Sequence, residues 1–157
     1  SGEKLEEAEE ALTLGEIELL RGRKAATMKE LEDSLETRRY APGETIFEQG
    51  DKGDELFLIR RGRIRIVLLM GGHGQFHVAT FGRGDFFGEM SFLDSGIRSA
   101  GAVAETPTDV YAITPSQFET LSEKHPRLGQ QFLSGLARVL ALRLRQADGE
   151  IRALEDA

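Results

Sequence analysis

The sequence predicts a mainly β, antiparallel fold with helices at both ends, and two observations carry that prediction. Between Tyr40 and Thr114, short β-like runs alternate with the turn sequences "PG", "QGDKGD", "RRG", "MGGHG", "GRGD" and "DSG". Turns that close together suit an antiparallel sandwich, barrel or jelly roll. On either side the pattern turns helical: Glu-, Ala- and Leu-rich before the strands, heptad-spaced after them. At 157 residues the chain suits one domain, read as an N-terminal helical segment 1–39, a β unit 40–114 and C-terminal helices 115–157.

In the first segment Leu5, Ala8, Leu12 and Leu19 fall at helix-like spacing, interrupted by Gly15 and Gly22, so two or three short helices are expected. The strand candidates are "ETIFE", "ELFLIR", "RIRIVLL", "QFHVATF", "AGAVA" and "DVYAIT". In "RIRIVLL" arginines alternate with Ile64, Ile66 and Leu68, as a strand with one face in a core requires. Glycines 43, 50, 53, 62, 82 and 84 read as turn residues needing positive φ. After Pro115 a short helix near 115–123 precedes a long one from about Leu128 to Leu154. Its Leu133, Ala137, Leu140, Leu144, Ala147, Ile151 and Leu154 keep the alternating four-and-three spacing of a coiled-coil seam. That stripe serves either the chain's own β unit or a homodimer through this helix. The arginines of "ALRLRQ" read as a solvated face, the alternative being that one of them reaches a ligand.

Composition narrows the function. A net charge of −7 opposes nucleic acid and anionic membrane surfaces, so neither is an expected partner of this segment, and an anionic ligand needs its own pocket. There is no cysteine, no signal-peptide pattern and no apolar run of the ~18 residues a membrane span needs. A cytoplasmic setting is expected, free or as the cytosolic part of a membrane protein. No Ser-His-Asp context, Gly-rich P-loop with Lys, or convincing pair of catalytic carboxylates is present, so an enzyme is not expected. His73 and His77 lie four residues apart, about 13 Å along a strand, too far to share an ion, and no metal is expected.

The segment "FFGEMSFLDSGIRSAGAVA", residues 86–104, reads as the lining of a site. Gly88 and Glu89 fall at a strand-to-helix junction, where free backbone N–H groups suit an anion and glycine permits close approach. Arg98 can hold two oxygens of one phosphate. Glu89 would repel that phosphate and, being acceptor-only, suits a neighbouring hydroxyl such as that of a ribose. The alternative is a structural ion pair between Glu89 and Arg98.

Residues 81–104, "FGRGDFFGEMSFLDSGIRSAGAVA", resemble the phosphate-binding cassette of the cyclic-nucleotide-binding domain family, and "YAPGETIFEQGDKGDELFLIRRGRIRI" is similar to that family's first half. The resemblance implies a jelly roll (double-stranded β-helix) with cAMP or cGMP as regulatory ligand. It implies that Glu89 takes the ribose 2′-hydroxyl and Arg98 the cyclic phosphate. Backbone groups of Gly88, Met90 and Ser91 would add hydrogen bonds, and Ser99 would face the phosphate or the base. Ile97 departs from the pattern's proline, leaving the loop into Arg98 less preorganised, and Gly101 and Ala102 replace a hydroxyl residue and a valine. Ser99 does not settle base preference. The implied role is a sensor module switching a larger host such as a transporter, channel or enzyme, with the C-terminal helix of 115–157 closing over the purine as a lid. "FLDSGIRSAGAVAET" is similar to modules attached to bacterial sulfate-permease-like or glutaminase chains. The alternative is a roll without nucleotide binding that serves oligomerisation or docking.

Overall fold

Eight strands and four α-helices order residues 10–156, the part of the chain that this computed structural model describes; Leu5 and Ala8 lie outside it. One antiparallel sheet has the order β1 (Glu36–Tyr40), β8 (Thr108–Ile113), β3 (Leu56–Arg61), β6 (Phe86–Phe87). The other has β2 (Thr45–Phe47), β7 (Gly101–Ala104), β4 (Ile64–Leu69), β5 (Gln75–Phe81). The two form the expected antiparallel β-roll. The helices are α1 (Ala25–Ser34), α2 (Glu89–Asp94), α3 (Pro115–Lys124) and α4 (Pro126–Asp156). Two 3₁₀ turns, Leu14–Glu16 and Glu18–Leu20, precede α1.

The period-2 pleat explains how one sheet carries two cores. Phe57 and Ile59 of β3, Val110 and Ala112 of β8 and Phe87 of β6 join Ile64, Ala102 and Ala104 of the second sheet inside the roll. Their neighbours Leu56, Leu58, Tyr111, Ile113 and Phe86 point the other way, against Met28, Leu31, Leu121, Leu128, Phe132 and Leu136 of the helices. A sheet buried on both faces reads as a continuous apolar run, as "LFLI" does.

Three details depart from the sequence reading. Residues 36–39, assigned to the helical segment, belong to β1, paired with β8 from Glu36↔Ala112 to Tyr40↔Thr108. "ETRRY" is an edge strand whose charges are accommodated at the rim: Arg39 Nε lies 3.2 Å from Asp109 Oδ1. In β4 the register shifts between Ile66 and Val67, which buries Val67 and leaves Leu68 only half-buried. Finally, α4 packs through Leu128, Phe132 and Leu136, with Val139 and Leu140 partly buried, whereas Leu133, Ala137, Leu144 and Ala147 of the heptad stripe are exposed. The side chains of Ile151 and Leu154 lie outside the described residues. Gly129 permits this close seating, because a Cβ there would stand 2.4 Å from Ser122 Oγ on α3. No helix among the described residues is long and apolar enough to cross a membrane.

Candidate ligand-binding site

The site begins where β6 turns into α2. Phe86 and Phe87, consecutive in a strand, face opposite sides, the first toward the helices and the second into the roll. Gly88 then takes φ 81°, ψ 12°, left-handed backbone that glycine adopts without strain, and caps α2. Space requires glycine as well: a Cβ here would lie 2.9 Å from both Arg98 Nη1 and the Glu55 carbonyl oxygen. The N–H groups of Glu89, Met90 and Ser91 open the helix and have no carbonyl one turn earlier to bond.

Arg98 lies ahead of β7, and its backbone is pinned on both sides. Gly50 N–H donates to its carbonyl at 2.8 Å, its own N–H donates to the Asp51 carbonyl at 2.9 Å, and Ile97 bridges to Lys52. Cross-strand pairing thus restrains the loop that lacks a proline. The side chain is 4 % exposed. Nη1 donates to the Gly88 carbonyl at 3.0 Å and Nη2 to the Glu55 carbonyl at 2.9 Å. The guanidinium stands 4.2 Å from the Phe47 ring centroid, in a cluster where Phe57 and Phe87 stack at 4.9 Å. Gly53, read as a positive-φ turn residue, instead leaves room for this group, since a Cβ there would come within 3.3 Å of Arg98 Nε and Nη2. Gly82 likewise has no positive φ. Arg98 Nε is buried and has no hydrogen-bond partner among the described residues. Burial holds the Arg98 pKa below the ordinary guanidinium value, opposed by the carboxylates of Glu55, Asp54, Glu89 and Asp51. The group keeps its charge.

Glu89 makes its ion pair with Arg143 of α4, at 3.6 Å from Nη1 to Oε1; Arg98 is held by carbonyls instead. Arg143 also donates from Nη2 to the Phe86 carbonyl at 2.8 Å and lies over the Phe81 and Phe86 rings, 4.1 and 4.3 Å from their centroids. Its pKa is lowered by burial, against the charges of Glu89 and Asp85. Of the "ALRLRQ" arginines, Arg143 therefore points inward while Arg145 is exposed. Ser91 is buried, Met90 is exposed, and Ser99 Oγ donates to Met90 Sδ at 3.4 Å.

These groups surround a cleft of about 460 Å³, within the size range of small-molecule sites. Gly88, Glu89, Met90, Ser91, Arg98 and Ser99 all line it. Phe47, Ile66, Val78, Ala79, Phe81 and Phe87 form apolar walls, and Ala147 of α4 completes the rim. Chemically the cleft offers one buried cation, free backbone donors, one carboxylate and a flat apolar surface. That combination suits a ligand with a compact anion, a hydroxyl and an aromatic body. Arg143 leaves the solvated face that "ALRLRQ" mainly reads as and meets Glu89, and the apolar walls were not foreseen. The signal for Arg143 was its place on the buried stripe of Leu128, Phe132, Leu136 and Val139, one turn further on. No group of three or more His, Asp or Glu among the described residues is placed to hold a metal, and His77 Nε2 lies 2.7 Å from Thr80 Oγ1.

The family described as Cyclic nucleotide-binding domain matches residues 37–125. The chain is 39% identical over 120 residues to the Cyclic AMP receptor protein of Thermus thermophilus, covering 76% of this chain and 54% of that protein. It is 33% identical over 145 residues to Glutaminase 1 of Bradyrhizobium diazoefficiens, covering 92% of this chain and 23% of that one. The chain thus spans about half of the first relative's length and about a quarter of the second's. A crystal structure of a cyclic nucleotide-binding domain from Methylobacillus flagellatus superimposes with a TM-score of 0.77 at 27% identity, covering 88% of this chain and 78% of that one. With more than half of its length matched to that family and its fold shared with a solved member, the chain belongs to the cyclic nucleotide-binding domain family.

Proposed function

We propose that the chain is a sensor module whose cleft takes a cyclic mononucleotide, cAMP or cGMP, and transmits its presence through α4. The observation that carries the reading is the pose of Arg98: buried, charged, held through Nη1 against the Gly88 turn, and with its Nε–H unpartnered among the described residues. A buried donor without a partner is costly, and a phosphate oxygen would satisfy it. Arg98 would hold the cyclic phosphate with the first N–H groups of α2, and Gly88 lets the ligand approach. Glu89 would accept from the ribose 2′-hydroxyl. Val78, Phe81 and Ala147 supply apolar cover for the base, and Ser99 flanks it.

The Glu89–Arg143 pair suggests how binding is felt. A ribose hydroxyl arriving at Glu89 enters the contact that ties α4 to the cassette, so the ligand distinguishes between positions of the helix and shifts their populations. The host would be a larger protein, such as an enzyme, channel or transporter of the sulfate-permease-like kind, since the relatives extend well beyond the matched region. Exposed Leu133 and Leu144 on α4 favour a homodimer as a second role for this helix. Isothermal titration with cAMP, cGMP and 5′-AMP tests the reading: micromolar binding of a cyclic nucleotide, with 5′-AMP weaker, is expected. Absence of binding by both cyclic nucleotides overturns it in favour of a docking module.

A further inference from the structure

A site that takes a phosphate here would do so among acids. Glu55, Asp54, Glu89 and Asp51, in that order, act on the charge of Arg98. Two of these carboxylates are shared with a second cation. Glu89 has Arg143. Glu55 has Arg38 of the edge strand β1: Nη2 donates to Oε2 at 2.5 Å and Nη1 to Oε1 at 3.1 Å. This is a two-point pairing, with the side chains 29% and 26% exposed. Arg38 is also fixed from the other side, donating from Nε and Nη2 to the Glu36 carboxylate at 3.0 and 2.9 Å. Meanwhile the main-chain carbonyl of Glu55 accepts from Arg98 Nη2 at 2.9 Å. One residue therefore touches two arginines, one through its side chain and the other through its backbone.

We propose that Arg38 is a positioning residue of the phosphate site: by holding the Glu55 carboxylate in a two-point pair, it neutralises an acid whose own backbone touches Arg98 and leaves Arg98 available to the ligand. The proposal rests on the cyclic-nucleotide reading above. Without Arg38 the Glu55 carboxylate is a partly buried charge acting on Arg98 unopposed. It then either draws the guanidinium toward itself or repels an incoming phosphate, and both weaken binding. Arg38 need not touch the ligand for this to hold. β1 thus contributes to the chemistry of a site it does not line.

Only a charge screen predicts opposite signs for the two halves of the pair. If Arg38 and Glu55 merely brace β1 against β3, removing either should weaken the ligand similarly. If Arg38 screens Glu55, removing the arginine should weaken binding while removing the acid strengthens it. The experiment is titration calorimetry on the full chain with whichever of cAMP and cGMP binds more tightly, at low and at physiological salt. Expected are a loss of about five- to tenfold for Arg38→Met, a gain of about twofold for Glu55→Gln, and a return to within about twofold for the double variant, with differences that shrink as salt rises. Arg38→Lys, which keeps the charge, should retain most of the affinity and decides the matter if Arg38→Met fails to fold. Equal losses for Arg38→Met and Glu55→Gln, or an unchanged Arg38→Met, overturn the proposal while the nucleotide reading stands. If the unsubstituted chain binds neither nucleotide, both fall together.

Discussion

Arg143 on α4 and Glu89 at the start of α2 approach to 3.6 Å, although they are far apart in sequence and both side chains are about four-fifths buried. The same arginine donates to the Phe86 carbonyl, so a single side chain from the long helix grips both the carboxylate and the strand end that frame the glycine turn. The grip is electrostatically demanding. Arg143 Nη1 is buried with no hydrogen-bond partner, and the ion pair with Glu89 offsets part of its desolvation.

Replacing Arg143 with alanine should loosen α4 where it crosses the cleft. We expect a stability loss of about 1–3 kcal/mol in urea unfolding, because Glu89 is left partly buried and unpaired. Amide exchange should rise from Leu140 to Glu150 and remain unchanged around Leu128–Leu136, which is held by core packing. Uniform acceleration along the helix would contradict the grip.

Arg98→Ala should lower cyclic-nucleotide affinity by about a hundredfold or more, since two charge-assisted hydrogen bonds to phosphate contribute roughly 1.5–3 kcal/mol each. Arg98→Lys should recover only part of this, because an ammonium cannot make the two-point contact. Titration calorimetry reads both variants, and unchanged binding by Arg98→Ala would remove the phosphate assignment.

Gly101→Thr restores the hydroxyl residue of the family pattern and should nonetheless destabilise this chain. Gly101 pairs opposite Val67, and a Cβ there would meet Val67 Cγ2 at 3.1 Å. The overpacking should cost about 1–3 kcal/mol, with Val67→Ala relieving part of it. A thermal melt that moves upward for the single variant would refute this account of the glycine.

Leu133→Glu combined with Leu144→Glu should leave the fold intact, since these side chains are 43% and 67% exposed, and should convert any dimer into a monomer in sedimentation velocity. Leu136→Glu, which places a charge at a position 1% exposed, should unfold the chain instead. A full chain that sediments as a monomer at high concentration would exclude self-association through this face.

Much of the roll was legible because its signals are local. β3 and β8 announce themselves as apolar runs, and the cassette places Gly88, Glu89 and Arg98 within one short segment. What escaped depends on partners distant in sequence. "ETRRY" becomes a strand only because β8 offers it an edge, and its arginines find Asp109 and Glu55 there. The shift at Val67 follows from pairing with β5 and leaves no mark in the alternation of "RIRIVLL". The heptad spacing of α4 correctly indicates an apolar stripe, yet the adjacent face carries Phe132 and Leu136, and their burial decided which side meets the sheet. Arg143 belongs to that face, and its role became visible only when Glu89 was found opposite.

The long helix also has a mechanical meaning. At 31 residues and 1.5 Å per residue, α4 extends about 46 Å, and its packing on the core runs through Leu140, a little under halfway along. Arg143 then stands about 5 Å beyond that packed stretch and the end of the helix about 24 Å beyond it. A rigid tilt about Leu140 would therefore carry the tip about five times as far as Arg143. The helix thus has the proportions of a lever with a short arm at the cleft and a long arm at its tip, so a tilt too small to disturb the roll would still be wide enough at the distal turns to make or break a side-chain contact there.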